Sequence, residues 1–129
     1  MALPRENRLR GRFVFDRLYQ KGRRHHGQWM VLRTLPAEEQ LLKHDPRDHD
    51  PRRCRLGVVV STKVSKSSVR RNQLRRLFHG HLSHCINAGA GQGRGLWLLI
   101  SLKPGSEAAD DQHLLGECSE LLAKAGLQP

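Results

Sequence analysis

Apolar residues fall into six runs along this 129-residue chain, and their spacing switches between helical and extended periods. Phe15, Leu18 and Tyr19 recur at i, i+3 and i+4, so residues 13–22 read as a short helix, with Lys21 in its last turn and Gly22 as its stop. Residues 28–35 are rich in side chains that suit a pleated sheet and read as a strand ended by Pro36. Residues 54–62 are a second strand. Their near-continuous apolar centre makes it interior, and Gly57 marks a bulge or a close approach. Helical spacing then returns: Leu74, Leu77, Phe78, Leu82, Cys85 and Ile86 form one stripe of a helix that Ser67 or Ser68 caps. Residues 96–102 are the third strong strand, closed by Lys103-Pro104-Gly105. Leu114, Leu115, Cys118, Leu121 and Leu122 define a last helix that starts at Asp110-Asp111, is weakened slightly by Gly116, and stops at Gly126.

The segments between these runs are polar. Residues 1–12 form a basic arm with Arg5, Arg8, Arg10 and Arg12, and a frayed terminus is an equal reading. Arg23-Arg24-His25-His26 reads as a basic loop. Residues 36–53 mix both charges with three prolines and read as a long exposed connection. Residues 89–95 resemble a glycine-rich phosphate loop only in composition. They leave a helix and enter a strand, the reverse of what places a helix N-terminus against phosphate, so they read as a flexible connection. At this length the chain is expected to be one domain with one real core.

Charge changes the picture. The net charge is +11, and it is uneven: residues 1–93 carry 20 Lys/Arg against 7 Asp/Glu, while residues 94–129 carry 3 against 5. From Arg53 to Arg76 there are eight Lys or Arg and no acid. Like charges this close repel, so the cluster points to an anionic partner, of which a phosphate backbone is the commonest. Arginine predominates, and its planar fork grips phosphate with two hydrogen bonds. The cluster sits where an interior strand turns into a helix, so Arg70 and Arg71 join the positive end of that helix dipole. The aromatic helix near the start is either core or a base-stacking platform.

Other chemistries are weaker. There is no apolar run of membrane-spanning length and no secretory signal pattern, so no membrane partner is expected. Three widely spaced cysteines, Cys54, Cys85 and Cys118, argue against a disulfide framework and for a reducing, cytoplasmic setting. His25-His26, the His/Asp-rich stretch His44 to Asp50, and the pair His81 and Cys85 each lack a complete, well-spaced ligand set, so no metal site is expected on the protein.

Several segments together resemble one family. They are Asn7-Arg8-Leu9-Arg10, residues 15–22, Leu56-Gly57-Val58-Val59-Val60-Ser61-Thr62-Lys63, Arg71-Asn72-Gln73-Leu74-Arg75-Arg76-Leu77, and Leu98-Leu99-Ile100 before Lys103-Pro104. In this order they resemble the protein subunit of bacterial ribonuclease P, from about Asn7 to Leu122. Gln73 departs from the usual Arg-Asn-Arg motif, Thr62 stands where a second lysine is frequent, and the 36–53 connection is long.

The resemblance implies an α+β sandwich: a small mixed sheet of about four strands packed with three helices, with a left-handed strand-helix-strand crossover that carries the basic motif. It implies an endoribonuclease that removes the 5′ leader of precursor tRNA, with hydrolysis by an RNA subunit. Magnesium would be bound mainly by that RNA and the substrate. No catalytic residue and no protein partner is implied. Lys63, Lys66, Arg70, Arg71, Asn72, Arg75 and Arg76, with Arg8 and Arg10 from the arm, would bind the catalytic RNA. Phe15, Tyr19 and Trp29 would line a cleft for the leader. Two other readings stand beside it: a general or ribosome-associated RNA-binding module, and a protein that is itself a metal-dependent nuclease.

Overall fold

The computed structural model describes residues 8–9, 12–36, 54–87 and 95–126. Most of the basic arm, including Arg10, and the connection from residue 37 to 53 lie outside the described residues, as does the side chain of Ile86. The elements are α1 (Arg12–Lys21), β1 (Arg23–His26), β2 (Met30–Pro36), β3 (Arg55–Val59), α2 (Ser68–Asn87), β4 (Leu96–Leu102), a 3-10 turn (Ser106–Ala108) and α3 (Asp111–Lys124). The expected α+β fold is present, as three helices on a four-stranded mixed sheet.

The sheet order is β1-β2-β4-β3. β1 pairs with β2, and β2 with β4, antiparallel; β3 pairs with β4 in parallel, with Val58 opposite Ile100. A parallel pair cannot be closed by a hairpin. The chain therefore leaves the end of β3, builds α2, and returns to start β4.

β4 lies inside the sheet, and its alternation sorts the core. Leu98, Ile100 and Leu102 join Met30, Leu32 and Leu56 in a cluster with Leu74, Phe78 and Leu82 of α2 and Leu114, Cys118 and Leu121 of α3. Trp97 and Leu99 project the other way and pack with Leu9, Val14 and Leu18 beneath α1. Helices thus cover both faces. A strand apolar at nearly every position is what such burial requires.

Four sequence expectations are corrected here. β3, expected inside the sheet from its apolar centre, is an edge strand whose residues are buried by the packing on its two faces. Arg23–His26 is an edge strand and not a loop, paired from Arg23 opposite Thr34 to His26 opposite Val31. The buried side of α1 is Val14 and Leu18; Phe15 is only half-buried and Tyr19 is 46% exposed, so the three residues grouped by spacing separate. Leu77 is half-buried, while Leu74, Phe78 and Leu82 carry the contact with the sheet. Other expectations match. The Ser67 hydroxyl accepts from the Arg70 N–H at 3.2 Å to cap α2, and the Asp110 carboxylate accepts from the His113 N–H at 2.8 Å to cap α3. Gly126 follows α3 at φ 78°, the left-handed conformation that a stop needs.

Gly22 is held by space. Its N–H donates to the Leu18 carbonyl at 2.9 Å, and a Cβ there would stand 2.3 Å from that same oxygen. Gly116, in α3, has nothing within 4 Å of a Cβ position. Gly22→Ala is therefore expected to lower stability by about 1–3 kcal/mol, and Gly116→Ala to raise it by about 0.5–1 kcal/mol. Urea unfolding of the two variants checks both signs.

Burial also sets a pH dependence. His25, His79 and His81 are each held below their ordinary value of 6.5, first by desolvation and then by neighbouring positive charge. The unfolded chain takes up protons as pH falls through 6.5, while the folded protein resists them. Stability is thus flat above about pH 7.5 and falls on acidification from there toward pH 5.5. Urea midpoints measured across that interval should decline together, and a rise would contradict the assignment.

Candidate nucleic-acid interface

The turn after β3 is built to hold positive charge outward. Val64 and Ser65 are buried, and their N–H groups donate to the Ser61 carbonyl at 3.0 and 3.4 Å, which folds the chain back before α2 begins. Lys63 and Lys66 flank that buried pair and are exposed. Ser65 is the hub. Its hydroxyl donates to Glu107 Oε1 at 3.0 Å and accepts from the Ser67 N–H at 3.2 Å, and its carbonyl accepts from Arg71 Nη1 at 2.9 Å. Arg70 Nη1 donates to Gln73 Oε1 at 3.4 Å, and the Arg75 guanidinium donates to Asn72 Oδ1. Gln73, the departure from the usual motif, thus becomes a neutral brace for Arg70.

These side-chain partners of the arginines, an amide of Gln73, the Ser65 carbonyl and an amide of Asn72, are uncharged. Among the described residues, no carboxylate lies within ion-pairing distance of Lys63, Lys66, Arg70, Arg71, Arg75 or Arg76. The cations expected to act together stand on one turn and the first half of α2, and no carboxylate of the described residues pairs with them. Arg8 joins them from the arm. It forms an isolated parallel bridge with Leu56, and its charge reaches His79 on α2.

A second surface lies where α1 crosses the sheet. Phe15 packs partly against the small cluster, close enough to the sheet that a Cβ on Gly57 would lie 3.4 Å from its ring. The same Cβ would lie 3.1 Å from side-chain carbons of Leu9 and Leu99, so Gly57 serves close packing. Tyr19 stands further out, with the Arg33 guanidinium carbon 4.7 Å from its ring centre, and Arg33 Nη1 donates to Ser101 Oγ at 3.3 Å. Arg33 Nε is buried with no hydrogen-bond partner among the described residues. Arg24 sits directly opposite Arg33 across the β1–β2 pair. Like charges so placed repel. Phe15, Tyr19, the cross-strand pair Arg24 and Arg33, and an orphaned N–H thus gather on the α1 side of the sheet, a surface whose chemistry suits an anionic, base-bearing strand.

Arg24 and Arg33 were not singled out by sequence. The available signal was an arginine at an inward-alternating position between Val31 and Leu35. Trp29 was singled out and belongs elsewhere. Its N–H donates to Glu117 Oε1 at 2.9 Å, its ring lies 6.0 Å from that of His113, and it packs against the core on the α2–α3 side. It borders a cleft of about 500 Å3 between the β1–β2 turn and α3. The tryptophan that faces α1 is Trp97, fully buried and so no platform for a ligand.

Of the candidate metal ligands, His44 to Asp50 lie outside the described residues, and those described do not converge. His81 Nε2 pairs with Ser119 Oγ at 3.0 Å and stands 4.0 Å from Cys85 Sγ. Among the described residues, no three His, Cys, Asp or Glu side chains stand where they could hold a metal ion. Burial pushes the Cys54 and Cys118 thiols up to about 11 and about 12, away from the thiolate that metal binding needs. Among the described residues, no helix is long and apolar enough to cross a membrane.

The fold and its crossover define a small α+β protein with a basic strand-to-helix turn. The family model for Ribonuclease P matches residues 3–126, and the chain belongs to that family. It is 52% identical over 127 residues to the ribonuclease P protein component of Parasynechococcus marenigrum, covering 98% of each chain. It is 47% identical over 133 residues to that of a Synechococcus strain, covering both chains in full. Among solved structures, the RNase P protein of Staphylococcus aureus matches with a TM-score of 0.75 at 16% identity, over 95% of this chain and 98% of that one. The RNase P protein of Thermotoga maritima matches with a TM-score of 0.67 at 19% identity, over 91% and 96%. These last two bear on the fold alone. Family membership implies involvement in the ribonuclease P complex, and thereby in tRNA processing, with an RNA as partner.

Ser65→Ala removes two hydrogen bonds of the hub and leaves the Ser65 carbonyl in place. Its expected cost is about 1–3 kcal/mol, read by thermal or urea unfolding. A loss below about 0.5 kcal/mol would show that the turn is held without it.

Proposed function

We propose that this chain is the RNA-binding protein subunit of a ribonuclease P, and that it assists the RNA subunit in removing the 5′ leader of precursor tRNA. The observation that carries this is the unpaired cationic crossover. Among the described residues no carboxylate pairs with its six Lys and Arg side chains, and three of them, Arg70, Arg71 and Arg75, are braced by amide and carbonyl oxygens that leave their charge for a polyanion. Lys63, Lys66, Arg70, Arg71, Asn72, Arg75 and Arg76 dock on the catalytic RNA. The surface on the α1 side of the sheet takes the leader, with Phe15 and Tyr19 as stacking surfaces and Arg33 as the phosphate contact.

Leaders differ in sequence from one precursor to another. Stacking and charge hold such a strand without reading base edges, which is the chemistry this surface offers. The protein performs no bond cleavage in this reading. It neutralises phosphates, so that less magnesium is needed to bring RNA and substrate together, and magnesium itself sits on the RNA and the substrate.

The test is cleavage of precursor tRNA by protein alone, by RNA alone at low magnesium, and by both. Cleavage only with both supports the proposal. Equal cleavage with and without protein contradicts it, and cleavage by protein alone would make the chain itself a nuclease. In binding assays, Arg71→Ala with Arg75→Ala should reduce the slope of log K against log salt by about 1.4–1.8, from roughly 0.7–0.9 per phosphate contact. Tyr19→Ala should weaken a leader-bearing precursor by about 1–3 kcal/mol relative to mature tRNA, the worth of one stacked base.

A further inference from the structure

β3 is an edge strand, and the segment at Arg8–Leu9 lies along its open side. The Leu9 N–H donates to the Leu56 carbonyl at 2.8 Å. Partners in a bridge project to the same face of a sheet, and successive residues to opposite faces. Leu56 belongs to the cluster shared with α2, so Arg8 projects to the α2 side. Leu9 turns the other way and is buried with Val14, Leu18, Trp97 and Leu99. The buried leucine thus anchors the arginine beside the helix.

On α2, Asn72, Arg75 and His79 fall at i, i+3 and i+7 and make one stripe. Arg75 is held by Asn72 Oδ1. His79 is half-buried, and the charged groups acting on it are Arg8 from the strand edge and Arg75 from its own helix. With burial, they favour the neutral imidazole in the free protein.

We propose that Arg8, Arg75 and His79 form a single phosphodiester-binding site, and that His79 takes up one proton from solvent when an RNA phosphate occupies it. This rests on the reading of the chain as an RNA-binding subunit. A phosphate placed between the two guanidiniums screens their effect on the imidazole and adds an attraction of its own. The protonated ring then donates an N–H to a phosphate oxygen, so a third cation appears at the site only when the anion is there. RNA affinity is thereby coupled to pH in the range where histidine titrates.

The test is binding of a ribonuclease P RNA to the full chain between pH 8 and pH 6 at constant salt, for wild type and His79→Gln. Linkage of one proton allows at most about tenfold per pH unit, and the wild type is expected to gain roughly three- to tenfold over the variant across the interval. In NMR titrations the His79 ring should titrate at higher pH in the complex than in the free protein. Arg8→Ala should raise the free-protein value, a readout independent of RNA. Parallel pH curves for wild type and variant, or a His79 that titrates no higher when bound, overturn the site while leaving the RNA-binding reading intact. A wild type that binds no RNA at any pH overturns both.

Discussion

The parallel pairing of β3 with β4 is the constraint on which the rest of the molecule depends. Two parallel neighbours must be joined by a crossover, and here that passage leaves β3 at Val60 and runs through α2. The apolar demands of the passage are met by Val64 and by the α2 stripe of Leu74, Phe78 and Leu82, all buried. Everything else in it is free to be polar, and its charged residues up to Arg76 are all basic. The sheet thus turns a local run of sequence into a ridge at the mouth of a helix, where backbone N–H groups and the helix dipole add to the side-chain charge.

How the ridge is held matters as much as where it is. A protein that needed these cations for its own stability would pair them with carboxylates. Here they are braced by a backbone carbonyl, by Gln73 and by Asn72, which orient a guanidinium without neutralising it. Glu107 is the acid that touches the turn, and it is bound to the Ser65 hydroxyl instead of to an arginine. Such an arrangement keeps the field intact for a partner and accepts some self-repulsion as the cost. Arg33, on the α1 side of the sheet, is likewise bonded to an uncharged partner, the Ser101 hydroxyl.

Much of this was legible in the sequence, for identifiable reasons. β4 and α3 were clear because their apolar periods are long and unbroken, and the Ser67 and Asp110 caps because short polar residues stand just before helical runs. β1 was invisible: Arg-Arg-His-His has no apolar alternation, and the strand exists because β2 offers it an edge to pair with. The α1 triad misled because helical spacing groups residues but does not say which side of the group meets the sheet. Val14 and Leu18 took the core and left Tyr19 to the surface. Trp29 was misplaced because its position at the lip of β2 puts it against α3, a matter of register that composition does not carry. The grouping of Arg8 with Arg75 and His79 spans some seventy residues of sequence, and only the bridge to Leu56 reveals it.

The central claim is that RNA lies on the crossover. Backbone amide resonances of the labelled protein, followed as a ribonuclease P RNA is added, test it most directly. The account predicts that the largest perturbations run from Lys63 through Arg76 and include Arg8, while α3 and the cleft beside Trp29 stay quiet. Perturbations centred on α3, with the crossover unchanged, would contradict it.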